Sequence, residues 1–267
     1  MGRIEKRFEE LKVRREKAFM PFVTACDPTP EATVEIVLAL EKAGSDVVEL
    51  GIAYSDPIAD GPVIQDSYAR VIGSGRRVKD ALAAVAAIRL RSEIPIAAMV
   101  SYSIAWKIGP SRFAKDASDA GVDALIIPDL PPEEAGEMLA AAGKAGLGVV
   151  FLVTPVTEQT RLKTIVEASR PFIYYVSIVG TTGARAALPP ELADGVRAVK
   201  KTTTKPVVVG FGVSGPEQAA AVAGFADGVI VGSAFVKVIS EHRGEPARDV
   251  ARAAAAFARP IVAAVKP

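Results

Sequence analysis

Along this chain, short β-branched apolar runs alternate with longer stretches whose apolar residues recur at helical spacing. The runs Ala18–Ala25, Asp46–Ile52, Ile94–Ser101, Ala124–Asp129, Gly148–Val153, Phe172–Ser177, Pro206–Phe211 and Gly228–Val231 read as strands. Most lack a clean apolar/polar alternation, as expected of parallel strands covered on both faces. Helical patterns fall at Pro30–Ala43, Val78–Ser92, Pro132–Ala145, Glu158–Ser169, Pro190–Lys201, Pro216–Gly224 and Pro246–Val265; several open on Pro and close near Gly. Alternation of this kind predicts a (β/α)8 barrel, and 267 residues is the length of one such domain, here 1–267. An open doubly wound sheet is the structural alternative, but its Gly-x-Gly-x-x-Gly after the first strand is missing; Thr24-Ala-Cys-Asp-Pro28 stands there instead.

The stretch Arg3 to Arg14 places Ile4, Phe8 and Leu11 on one helical face among charges, which predicts an extra N-terminal amphipathic helix and not a signal peptide. No later apolar run approaches the roughly 18 residues of a membrane span. Lys and Arg (32) nearly cancel Asp and Glu (31), so no global field points to nucleic acid or an anionic membrane. A small molecule or another protein is the expected partner.

Cys26 is the only cysteine, which excludes an intrachain disulfide and fits a reducing cytoplasm; as a strand-end residue it reads as a buried, inert thiol before a reactive one. His242 is the only histidine and sits in the polar segment Ser240-Glu-His-Arg-Gly244, where a solvated role is expected. A Ser-His-Asp triad or polyhistidine metal site has nothing else to draw on. Carboxylates are the obvious proton carriers left, and Glu49-Leu-Gly-Ile-Ala-Tyr-Ser-Asp-Pro-Ile-Ala-Asp60-Gly-Pro-Val-Ile-Gln65 supplies two. Glu49 stands in an apolar strand, where burial without a partner would raise its pKa into the range useful for general acid/base work. The plain alternatives are a strand-end carboxylate paired with a surface cation for Glu49, and an Asx turn before Gly61 for Asp60.

This segment resembles, almost letter for letter, the signature of the tryptophan synthase α-subunit family, Glu-Leu-Gly-Ile-Pro-Phe-Ser-Asp-Pro-Leu-Ala-Asp-Gly-Pro-x-Ile-Gln. The likeness continues through Pro21-Phe-Val-Thr-Ala25, Gly121-Val-Asp-Ala-Leu-Ile-Ile-Pro-Asp-Leu-Pro-Pro-Glu-Glu134, Gly180-Thr-Thr-Gly-Ala184 and Gly210-Phe-Gly-Val-Ser214, in the family's order. It implies cleavage of indole-3-glycerol phosphate to indole and glyceraldehyde 3-phosphate, with Glu49 as the acid/base at indole C3 and the glycerol hydroxyl and Asp60 at the indole N–H. By the same resemblance Phe22, Tyr102, Tyr174 and Phe211 line the indole pocket, Thr182 belongs to a loop that reaches toward Asp60, and Gly183, Gly212, Gly232 and Ser233 hold the phosphate. The resemblance implies no cofactor or metal in this chain; pyridoxal phosphate belongs to a β subunit, with which an α2β2 tetramer is implied.

Departures cluster where the family docks its β subunit. Ile52-Ala-Tyr-Ser-Asp-Pro-Ile58 replaces the common Ile-Pro-Phe-Ser-Asp-Pro-Leu, and Tyr102-Ser-Ile-Ala105 replaces Tyr-x-Asn-Pro or Tyr-x-Asn-Leu. Ala53, Asp56, Pro57 and Ile104 are therefore the expected interface positions, with Ile104 read as an apolar residue in a loop. Cys26 also departs, standing where the family usually has Gly. A stand-alone indole-releasing lyase and a non-catalytic regulatory barrel are the alternatives to a working α subunit.

Overall fold

The structure is a computed structural model that describes residues 1–58, 60–176, 188, 190–210 and 212–266. Its strands are β1 (Ala18–Thr24), β2 (Val48–Gly51), β3 (Ile96–Met99), β4 (Ala124–Ile126), β5 (Gly148–Val150), β6 (Leu152–Val153), β7 (Ile173–Tyr175), β8 (Val207–Gly210) and β9 (Gly228–Val231). They form one sheet in the order β5-β4-β3-β2-β1-β9-β8-β7-β6. All strand pairs are parallel. Only Phe151 separates β5 from β6, so the sheet begins and ends on one crossing and closes into a barrel. The predicted fifth strand is thus split, and the other seven stand within a few residues of their predicted ranges.

The helices are α1 (Arg3–Arg14), α2 (Pro30–Lys42), α3 (Pro62–Gly73), α4 (Val78–Arg89), α5 (Tyr102–Ile108), α6 (Pro110–Ala120), α7 (Gly136–Lys144), α8 (Gln159–Ala168), α9 (Leu192–Lys200), α10 (Pro216–Ala223), α11 (Ser233–Glu241) and α12 (Ala247–Val265). Among the described residues none is long and apolar enough to cross a membrane. The patterns at Pro30, Val78 and Pro216 start helices where predicted. At Pro132 a 3-10 turn (Pro132–Glu134) comes first, and α7 starts only at Gly136. Helices α3, α5 and α6 were not among the predicted elements.

Two cores explain why the strands are apolar on both faces. The larger lies between strands and helices and takes Phe19, Val23, Val48, Leu50, Ile173 and Tyr175. The smaller fills the barrel and takes Met20, Val47, Ala97, Ile126, Tyr174 and Ile230. Successive strand residues alternate between the two, the period-2 rule hidden by apolar partners on either side. Ile4, Phe8 and Leu11 join the inner core, with the Phe8 ring 5.9 Å from Phe172. The amphipathic helix read from the sequence therefore plugs the barrel floor.

The floor repeats one device. Asp46, Asp123 and Asp227 each stand just before a strand, and each donates its N–H to the carbonyl of a residue at the start of a neighbouring strand: Phe19, Ile96 and Val207. Each carboxylate accepts that residue's N–H in return, at 2.7, 2.8 and 3.0 Å. Cations complete them: Arg7 and Lys266 on Asp46, Arg3 and Arg89 on Asp123, Lys200 and Lys17 on Asp227.

Candidate active site

Glu49 points into the barrel because its neighbours do not. Val48 and Leu50 pack outward under the helices, which leaves the Glu49 side chain on the inner face, level with Phe22 of β1 and Ala97 of β3. It is 0% exposed. Its Oε2 accepts a long hydrogen bond from the Tyr174 hydroxyl at 3.5 Å, and among the described residues Oε1 has no partner. Among the described residues no cation is paired with it, which speaks against the reading of Glu49 as a strand-end ion-pair residue. Burial, then the nearby Asp60 charge, pushes its carboxyl up to about 8, against the small opposing effect of the Tyr174 bond.

The Tyr174 contact depends on Gly210. A Cβ at that position would overlap the Tyr174 hydroxyl, so glycine on β8 is what lets the phenol reach across to β2. Gly51 serves the same purpose one turn of the pleat beyond Glu49: a Cβ there would overlap the Phe22 ring and lie 2.7 Å from the Tyr68 hydroxyl.

Asp60 comes from the loop between β2 and α3. Gln65 on α3 fixes that loop by donating its Nε2 to the carbonyls of Asp60 at 2.7 Å and Pro57 at 3.1 Å. Helix α3 is itself tied to the end of β1, through Ser67 to Thr24 at 2.7 Å and through Arg70 in a bidentate pair with Asp27. The Asp60 carboxylate accepts from the Tyr54 hydroxyl at 3.4 Å. An Asx turn would need the N–H two residues on, and that residue is Pro62, which has none. Burial pushes Asp60 up to about 6, and the Tyr54 bond opposes the shift.

Glu49 and Asp60 face one cavity, shared with Phe22, Tyr174, Gly212, Gly232 and Ser233 among the predicted site residues. Gly212 adopts φ +64° with open space around it, so backbone conformation and not crowding calls for glycine there. Ser233 and Ala234 open α11 at the same wall, and the first N–H groups of a helix have no partner within it. Those groups suit an anion. Thr182, Gly183 and Phe211 lie outside the described residues.

Tyr102 is placed differently from expectation. It does not line the cavity; it is the first residue of α5, its ring 6.1 Å from Trp106. Ile104 is likewise not in a loop: it lies in the same helix, partly buried against the outer core, while Trp106 is 62% exposed. Ser101 caps the helix, and Asp129 accepts from the Ser101 hydroxyl at 2.7 Å and the Tyr102 N–H at 2.8 Å. Of the other expected interface positions, Ala53 packs on the Phe22–Tyr68 cluster, Pro57 is half-buried, and Asp56 is exposed and accepts from Ser55. Cys26 is buried with φ +67°, a left-handed conformation that accounts for a glycine being usual there, and burial pushes its thiol up to about 11. His242 is a surface residue paired with Glu245 at 2.9 Å.

The reading of the sequence missed Tyr54, Ile64, Met99, Leu152 and Ile230, which also line the wall. Strand phase was the available signal for Met99, Leu152 and Ile230: once Glu49 is set inward, the parallel register carries that phase to its neighbours.

Comparison with known proteins agrees with this geometry. A family model described as tryptophan synthase alpha chain matches residues 8–266. This chain belongs to the tryptophan synthase alpha chain family. Among curated members it is 47% identical to that of Citrifermentans bemidjiense, over 91% of each chain. The fold superposes on the alpha subunit of Legionella pneumophila at a TM-score of 0.92 and 39% identity, covering 99% of this chain and 98% of that one. A chain of Mycobacterium tuberculosis tryptophan synthase gives 0.91 at 36% identity, covering 100% and 99%. The family thus accounts for the whole barrel, its plugging helix included.

Proposed function

We propose that this chain, as one barrel domain, cleaves indole-3-glycerol phosphate to indole and glyceraldehyde 3-phosphate. The observation that carries the reading is the pair of carboxyls in one cavity with unequal proton affinity, Glu49 at about 8 and Asp60 at about 6. At neutral pH the first holds a proton to give and the second holds a charge to use, the division of labour expected of an acid/base pair.

Glu49 protonates indole C3, and positive charge develops at the ring nitrogen. The Asp60 carboxylate accepts the N–H hydrogen bond and stabilises that charge. Glu49, now ionised, takes the proton from the hydroxyl on the adjoining carbon. The C–O electrons close to an aldehyde, the carbon–carbon bond breaks, and its electrons restore the indole ring. One proton enters at C3 and one leaves the hydroxyl, so Glu49 ends as it began. The phosphate is assigned to the N–H groups at Gly212 and at Gly232-Ser233, where α11 opens, together with Gly183; Phe22 and Tyr174 flank the ring.

The same reading assigns the chain no cofactor of its own and gives indole to a pyridoxal-phosphate β subunit in an α2β2 tetramer in the cytoplasm. Exposed apolar residues near the barrel mouth support a docking face: Ile58 in the β2–α3 loop is 90% exposed, and Trp106 presents the apolar surface that Ile104 was expected to supply. Incubating the protein with indole-3-glycerol phosphate and measuring indole tests the activity. Indole release that Glu49→Gln abolishes is the expected result; no release with or without a β subunit, or undiminished release in the variant, rejects it. Co-elution with a β subunit in size exclusion tests the partner.

A further inference from the structure

We infer that Tyr54 is a positioning residue for Asp60: its hydroxyl holds Oδ2, which leaves Oδ1 free for the ring N–H of an indole substrate. The inference rests on the activity proposed above and adds to it a residue that the family pattern does not supply, since many members read Phe at this position. Phenylalanine would give the same ring packing; the hydroxyl is what this chain adds.

Three contacts fix the geometry. The Tyr54 ring lies against Tyr68 at 5.5 Å, and Tyr68 is itself fully buried in α3. Gln65 clamps the Asp60 backbone through its carbonyl. Asp60 is then held at its main chain by one residue and at its carboxylate by another, with the Tyr54 hydroxyl donating to Oδ2 at 3.4 Å. That distance is longer than a relaxed O–H···O bond, and it can shorten when substrate excludes water.

The bond matters because, among the described residues, no other group favours the charge. Among the described residues, the titratable groups facing Asp60 and Tyr54 are Glu49 on β2, Tyr174 on β7, Tyr68 on α3 and Asp129 after β4, all acidic or neutral. Among the described residues, Tyr54 is the one group whose effect opposes the rise that burial imposes on Asp60. Removing the hydroxyl therefore leaves the carboxylate harder to ionise and free to turn.

Tyr54→Phe tests this with two independent readouts. In ¹³C NMR of the free protein, with the Asp60 signal assigned by its loss in Asp60→Asn, the midpoint should rise by roughly half to one pH unit. In the indole assay kcat should fall on the order of 3- to 10-fold near pH 6, recover toward wild type above pH 8, and leave KM within about twofold. In an Asp60→Asn background the second substitution should change nothing further. An unmoved Asp60 midpoint overturns the inference, as does a loss of kcat that is uniform with pH. If the wild-type protein releases no indole, the proposed activity fails, and the NMR midpoint still decides the role of Tyr54.

Discussion

Two carboxylates near β2, three residues apart, are buried to the same degree and treated in opposite ways. Asp46 is 1% exposed and Glu49 0%. Asp46, at the barrel floor, takes a strand N–H on Oδ2 and two cations on Oδ1: Arg7 at 2.7 Å and Lys266 at 2.8 Å. Glu49, within the barrel, has one long bond from Tyr174 and, among the described residues, an oxygen without a partner. Burying a charge is costly unless it is paired, and an unpaired group keeps its proton instead. The floor thus uses its carboxylate as a paired staple between α1, β1 and the C-terminal residues after α12, and the cavity holds its carboxyl neutral. Burial alone does not mark a catalytic acid; burial without donors does. Asp123 and Asp227 repeat the floor arrangement of a strand N–H and two cations, which Glu49 lacks among the described residues.

The comparison breaks most visibly in activity. Glu49→Gln keeps the shape and removes the titrating proton, so indole release should fall on the order of 10²- to 10⁴-fold, the range of general acid/base catalysis, in a protein that still melts cooperatively. Asp46→Ala should do the reverse. It takes the carboxylate from Arg7, Lys266 and the Phe19 N–H, leaving Arg7 with Glu10 and Lys266 with the Gly44 carbonyl, at about 3–5 kcal/mol, seen as a lower urea midpoint with indole release per folded molecule within about twofold of wild type. Equal effects of the two substitutions on both readouts would dissolve the distinction.

A pH series sharpens it. Glu49 in the unfolded chain titrates near 4.5 and in the barrel at about 8. Below 4.5 both states are protonated and the residue costs nothing. Between 4.5 and 8 the unfolded chain ionises first, so stability is lost as pH rises. Glu49→Gln removes that loss, and its gain in stability over wild type should grow from pH 5 to pH 8 by a few kcal/mol and then level off. A gain that is flat with pH would show that Glu49 is paired in solution.

How far these features were legible varies with the reach of the contacts involved. The strands, the barrel and the plugging face of Ile4, Phe8 and Leu11 follow from local pattern, because burial on both faces leaves continuous apolar runs and a one-sided helix leaves spaced ones. Glu49 was legible as a carboxyl in an apolar run, and the fold adds that its phase turns it inward. Helix α5 was not legible: Tyr-Ser-Ile-Ala-Trp has little helix propensity, and its start is secured by Asp129, which lies in the loop after β4. That is why Ile104 was read as a loop residue. Gln65 and Tyr54 act on Asp60 through hydrogen bonds set by the loop's path, which no spacing rule encodes. Asp46 read simply as the first residue of a strand, since the partners that make it a staple lie 39 and 220 positions away.

The smallest effects come from removing one partner at each end. Lys266→Met leaves Asp46 paired with Arg7 and the Phe19 N–H; a loss of about 1 kcal/mol in unfolding free energy is expected, with the activity profile unmoved. Tyr174→Phe takes from Glu49 its one hydrogen bond among the described residues, a bond that opposes the rise caused by burial. Stability should change by less than about 1 kcal/mol, because the bond is long and the ring remains, but the alkaline limb of indole release should move to higher pH as the proton is held more tightly. A redundant set of donors tolerates a deletion and a single donor does not, so the two variants should differ in kind at similar cost. A shifted pH profile in Lys266→Met would show that the carboxyls of floor and cavity are coupled, and an unshifted one in Tyr174→Phe would show that the Tyr174 bond does not set the proton affinity of Glu49.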